Sequence, residues 1–120
     1  MRIKYAQGQH PRALILAPTR ELVMQIDAAI SELAKYTDLR HIALFVCLGP
    51  KSQIAALQKG VDIIVATPGR FLDLYLKGEI FVKQITTLIL DEADKMMDMG
   101  FMPQIRNILE IIPSKKLFKI

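Results

Sequence analysis

The chain has 120 residues, 52% hydrophobic and 23% charged, with mean hydropathy +0.28, which suffices for one core in one domain and excludes a disordered polymer. Sixteen basic against twelve acidic residues give a net charge of +4 and a pI near 9.3, compatible with a polyanionic partner without specifying one. A single cysteine, Cys47, rules out an intrachain disulfide and a multi-cysteine metal site; no apolar leader opens the chain and no run reaches membrane-spanning length, so a soluble cytoplasmic protein with no membrane partner is expected.

Residues 1–12 are polar and basic, broken by Gly8 and Pro11, and read as a lead-in loop. Residues 13–17 form a continuous apolar run between Pro11 and Pro18, the pattern of a strand covered on both faces. Leu22, Ile26, Ala29, Ile30, Leu33 and Ala34 then recur at helical spacing, predicting a helix to about Tyr36. A second strand is expected over residues 42–48, a turn at Gly49-Pro50, and a short helix carrying Ile54, Ala55 and Leu57 that closes at Gly60. The third strand covers residues 61–66. Thr67-Pro68 supplies a capping threonine and a proline at the first helical position; the helix it opens carries Phe71, Leu72 and Leu74 and stops at Lys77-Gly78. Residues 86–90 form a fourth strand leading into Asp91. Ile105, Ile108, Leu109 and Ile112 mark one face of a last helix, stopped by Pro113, and residues 117–120 begin a fifth strand. Such alternation with short links predicts an α/β fold, a parallel sheet with helices on both faces, occupying residues 13–120 as one unit.

In a parallel sheet the carboxyl ends of the strands share one edge, and ligands bind there. Three unusual stretches fall just past those ends. Asp91-Glu92-Ala93-Asp94 places adjacent carboxylates at the end of a buried strand. Mg²⁺ retains much of its water shell and takes one or two protein carboxylates; one acid could hold that shell while its neighbour orients or deprotonates an attacking water. Acidic residues are also favoured at helix starts, so the pair alone reads as readily as capping. Pro18-Thr19-Arg20-Glu21-Leu22 and Thr67-Pro68-Gly69-Arg70 each join a helix N-terminus to an arginine, an arrangement suited to phosphate, although each alone is also ordinary helix-start chemistry. Their co-occurrence at one edge points to a polyanion. Met96, Met97, Met99 and Met102 read as core packing rather than as a partner surface, and His10 and His41 lack metal-ligand spacing.

The stretch Leu16-Ala17-Pro18-Thr19-Arg20-Glu21-Leu22 with Gln25, then Ile64-Val65-Ala66-Thr67-Pro68-Gly69-Arg70, then Leu90-Asp91-Glu92-Ala93-Asp94 with Asp98-Met99-Gly100-Phe101, resembles the DEAD-box RNA helicases in motif order and spacing. The resemblance runs from about Arg12 to Ile120 and implies a RecA-like domain of an enzyme that couples Mg²⁺-ATP hydrolysis to RNA unwinding or ribonucleoprotein remodelling. By resemblance, Asp91 holds Mg²⁺ through water, Glu92 positions or activates the hydrolytic water, and Asp94 links this motif to the rest of the catalytic assembly. Pro18, Thr19, Arg20, Thr67, Pro68, Gly69 and Arg70 are implied to grip successive RNA phosphates, contacts that carry no sequence information. Where the family has a Gly-Gly pair, this chain reads Gly49-Pro50; proline offers no N–H, which leaves any contact there to Gly49. The 120 residues contain no G-x-x-x-x-G-K-[ST] loop for ATP phosphates, nor the family's glutamine motif, Ser-Ala-Thr motif or second RecA-like domain. The resemblance is therefore to an inner, truncated part of the first domain. By itself such a part is expected to hydrolyse ATP negligibly, and the alternative is a non-catalytic module binding RNA or protein. The strand at residues 117–120 is expected to present an unpaired edge, open to self-association.

Overall fold

A computed structural model describes residues 10–46, 51–112 and 116–120. Its five strands are β1 (Ala13–Leu16), β2 (His41–Leu44), β3 (Ile63–Ala66), β4 (Thr87–Leu90) and β5 (Lys116–Lys119). They form one parallel sheet in the order β2-β3-β1-β4-β5. Five helices connect them: α1 (Arg20–Leu33), α2 (Lys51–Lys59), α3 (Pro68–Leu76), α4 (Ala93–Asp98) and α5 (Met102–Ile111). Residues 1–9 of the expected lead-in, residues 47–48 of the expected second strand (Cys47 among them), the Gly49-Pro50 turn and the Pro113 stop lie outside the described residues.

The expected alternation is present, with strands shorter than the apolar runs that announced them. The ladder outlasts the strands by a residue: Ala17 N–H donates to the Ala66 carbonyl at 3.0 Å before Pro18 ends the pairing. α1 stops at Leu33 rather than Tyr36, because Ala34 caps it and Thr37 N–H turns back to the Ala34 carbonyl, leaving Tyr36 in solvent. Gly78 closes α3 as expected, at φ 78°, a left-handed position where a side chain is disfavoured.

The main core lies on one face of the sheet. Leu14, Leu16, Ile42, Leu44, Ile64, Ala66, Leu88 and Leu90 point there, under Phe71 and Leu74 of α3, Met96 of α4 and Ile105 and Ile108 of α5. Each fully buried side chain of this size contributes about 1.5–3 kcal/mol. On the opposite face only α1 is packed among the described residues, with Val23 against Ala17 and Val65. β1 is thus covered on both faces, as expected, but unevenly: Leu14 and Leu16 are fully buried in the main core, while Ile15 packs half-buried against the α1 cluster; β4 shows the same alternation. His41 Nδ1 and Asp27 Oδ1, 2.7 Å apart, tie α1 to β2.

The methionine expectation holds in part. Met96 is fully buried and Met102 packs against the core, but Met97 and Met99 are 52% and 47% exposed. With six residues, α4 has room for one inward position, and the rest of its turn faces out. No described helix is long and apolar enough to cross a membrane.

Candidate functional site

Register brings the three sequence stretches to one line. Leu44, Ala66, Leu16 and Leu90 occupy a single row across the sheet. The next amide on each chain segment bonds to the strand beside it: Thr67 N–H to Leu44, Ala17 N–H to Ala66, and Asp91 N–H to Leu16, at 3.2, 3.0 and 2.9 Å. Thr67-Pro68, Ala17-Pro18-Thr19 and Asp91-Glu92 thus leave the sheet side by side. With neighbouring strands about 4.8 Å apart, the outer two stretches lie roughly 10 Å apart across β1.

Asp91 is half-buried and its main chain is fixed by β1; Glu92 and Asp94 are exposed. None of the three carboxylates pairs with a basic side chain among the described residues. Glu92 has φ 56° and ψ 51°, the single non-glycine positive φ among the described residues. Its carbonyl accepts from Met96 N–H at 3.1 Å, but its carboxylate caps nothing. The acidic residues do stand at a helix start, Glu92 in the cap position and Asp94 in the first turn; capping alone, however, leaves unexplained why Glu92 is held in a conformation that costs an L-residue about 1–2 kcal/mol. Such strain persists where surrounding structure enforces it, commonly at functional sites. The donor set is carboxylate oxygen alone, without a described cluster of three or more ligating side chains that would cage an ion. One half-buried carboxylate beside exposed ones suits a cation that keeps most of its water.

Of the other two stretches, one caps as the sequence suggests and one does not. Thr19 caps α1 through its side chain, Oγ1 accepting from Leu22 N–H at 3.1 Å. Thr67 is extended at the start of α3, but its side chain makes no cap hydrogen bond; Pro68 at the first position removes one orphan donor, and the Thr67 carbonyl accepts from Phe71 N–H at 3.1 Å. Pro18 and Pro68 are buried, Thr19 and Thr67 half-buried, Arg20 and Gly69 exposed.

Arg70 does not stand out as a free fork. It is 8% exposed, with Nε donating to Gln53 Oε1 at 3.2 Å and Nη1 to Asp73 Oδ2 at 3.2 Å. Its guanidinium is therefore turned into the protein, held by these two partners. Arg20 is different: its guanidinium carbon lies 5.0 Å from the Phe45 ring centroid, at the exposed edge. Sequence reasoning missed Phe45, Gln53 and Asp73. The three-residue spacing of Arg70 and Asp73 is a helical pairing signal; nothing local marks the other two. Gly49 lies outside the described residues.

The pattern of the DEAD/DEAH box helicases matches residues 2–119. The chain belongs to the DEAD/DEAH box helicase family. It is 46% identical over 103 residues to the ATP-dependent RNA helicase DBP2 of Encephalitozoon cuniculi, covering 86% of this chain and 21% of that protein. It is 47% identical over 106 residues to the ATP-dependent RNA helicase RhlB of Pseudomonas putida, covering 88% of this chain and 27% of that protein. The yeast DEAD-box splicing factor Prp28 has the same fold, with TM-score 0.88 and 35% identity over 95% of this chain and 29% of that one. This DEAD-box chain thus spans about a fifth to a quarter of the curated relatives it matches, and its sheet is the RecA-like sheet of the family.

Proposed function

We propose that this chain is part of an ATP-dependent RNA helicase, and that its sheet edge joins the hydrolytic carboxylates to an RNA-backbone grip. The observation that carries the reading is the row of strand ends that sets Thr67-Pro68-Gly69, Pro18-Thr19-Arg20 and Asp91-Glu92 side by side. Asp91 would hold Mg²⁺ through its water; the ion supplies charge neutralisation at the transferring phosphate. Glu92 orients the attacking water and takes its proton, Asp94 links the turn to the rest of the catalytic assembly, and a second RecA-like domain completes the ATP site. The RNA phosphates meet the exposed Arg20 and Gly69 and the half-buried Thr19 and Thr67, while the buried Pro18, Pro68 and Arg70 act by fixing the two helix starts. Gly49 joins the same grip after β2. A module without turnover would leave the left-handed Glu92 unexplained. The compartment that fits is the cytoplasm.

Gly69 offers a direct test. A Cβ there would sit 3.7 Å from Gln104 Nε2, ordinary contact, so nothing inside the protein requires glycine. Gly69→Ala is expected to stabilise the helix by about 0.5–1 kcal/mol while weakening binding of a single-stranded RNA followed by fluorescence anisotropy; Arg20→Ala weakens it with no such gain. In the same assay the unaltered chain is expected to show no preference among RNA sequences, and in a separate assay its RNA-stimulated phosphate release is expected to stay at background. RNA affinity that neither variant alters would sink the RNA grip, and release comparable to a full-length relative would overturn the role given to the second domain.

The same reading includes self-association. Lys116, Leu117, Phe118 and Lys119 of β5 are all exposed at the end of the sheet order, and such an edge templates a further strand. Sedimentation velocity is expected to show a dimer that grows with concentration, and a monomer throughout would refute it.

A further inference from the structure

Gln53 and Arg70 are the two buried polar or charged side chains among the described residues, at 7% and 8% exposure, and they are bonded to each other. Stability does not account for them. A buried polar pair is often no better than a well-packed apolar one, and Arg70 Nη2 is buried without a partner, a state that disfavours the fold. What the pair does achieve is connection. The Gln53 amide donates through Nε2 to the Phe45 carbonyl at 3.1 Å and accepts through Oε1 from Arg70 Nε. Phe45 follows β2 and carries the Arg20 guanidinium on its ring; Arg70 sits in the first turn of α3, next to Gly69. One amide therefore links the segment that supports Arg20 to the helix start that presents Thr67 and Gly69. Only a group with both a donor and a good acceptor spans this gap: methionine has no donor and only a weakly accepting sulfur, and glutamate would keep the Arg70 contact while facing the Phe45 carbonyl with another acceptor.

We propose that Gln53 is a positioning residue for the RNA grip, locking Arg70 and the end of β2 into one unit so that the α1 and α3 starts face the same backbone strand. The proposal rests on the RNA-binding reading above, and the test separates the two. Gln53→Met and Gln53→Glu are compared with the unaltered 120-residue chain in two measurements: the NMR signal and solvent exchange of the Arg70 Nε–H, and anisotropy with a labelled single-stranded RNA. The Nε–H is expected to be sharp and slowly exchanging in the unaltered chain, lost to fast exchange in Gln53→Met, and retained in Gln53→Glu. RNA affinity is expected to fall about tenfold in Gln53→Met, and by less in Gln53→Glu, which keeps half of the bridge. An Arg70 Nε–H signal unchanged in Gln53→Met overturns the proposal whether or not RNA binds. If the signal is lost but RNA affinity is kept, Gln53 holds Arg70 without serving the grip, and the proposal is again overturned. If the unaltered chain binds no RNA at all, the RNA-binding reading fails and takes the role in the grip with it, and the Nε–H comparison then reports only whether Gln53 holds Arg70.

Discussion

Glu92→Gln is expected to lower RNA-stimulated ATP hydrolysis by roughly a hundredfold to ten-thousandfold, the usual loss when a positioned general base is removed. The measurement needs a complete ATP site, so the substitution is made in a chimera in which this chain replaces the matching segment of its bacterial relative. RNA affinity of the chimera is expected to be unchanged, because Glu92 leaves the sheet from β4, on the far side of β1 from Thr67 and Gly69. Glu92→Gly sharpens the test. It removes the same carboxylate and also relieves the left-handed backbone at φ 56°, so chemical denaturation of the 120-residue chain should show a gain of up to about 1 kcal/mol. Lower activity with higher stability identifies a residue kept for chemistry. If Glu92→Gly instead destabilises the chain, the backbone at Glu92 is not strained; if Glu92→Gln hydrolyses normally, the water is activated elsewhere.

The fold was legible because short apolar runs alternated with helical spacing, and a parallel sheet is the usual way to bury such a series. From that alternation followed the shared edge, and register places Leu44, Ala66, Leu16 and Leu90 in the row that the motifs need. What stayed hidden depends on contacts between distant residues. Arg70 reads in sequence as a cation beside a helix start, but Gln53, seventeen residues earlier, supplies an acceptor that draws it inward. Thr67 reads as a capping residue on composition alone; the hydroxyl at Thr19 makes that bond and the one at Thr67 does not. Run lengths misled in a systematic way. An apolar run marks burial, whereas strand ends are set by hydrogen bonding, so Ala17 and Val61 are buried without belonging to a strand. The exposure of Met97 and Met99 has a similar cause, since a helix as short as α4 turns most of its residues away from the sheet.

Phe71→Ala is expected to produce the largest loss of stability, about 3–5 kcal/mol, from a total that for a chain of this size is about 5–15 kcal/mol. Phe71 is fully buried, in the core shared by the sheet, α3 and α5, and truncation leaves a cavity that elements hydrogen-bonded on either side cannot close. A fall in melting temperature of roughly 10–20 °C follows for a domain of this length. Phe81→Ala is the matched comparison. That ring is 60% exposed, with an edge contact to His10 at 4.8 Å between centroids, and its loss should stay within about 1 kcal/mol. The contrast also bears on the RNA edge, because Phe71 directly follows Arg70 and anchors the first turn of α3. Phe71→Ala should therefore weaken RNA binding even below its melting point, where Phe81→Ala does not. Equal melting shifts for the two variants would mean that α3 is not seated on the sheet as described, and the grip built on its first turn would lose its support.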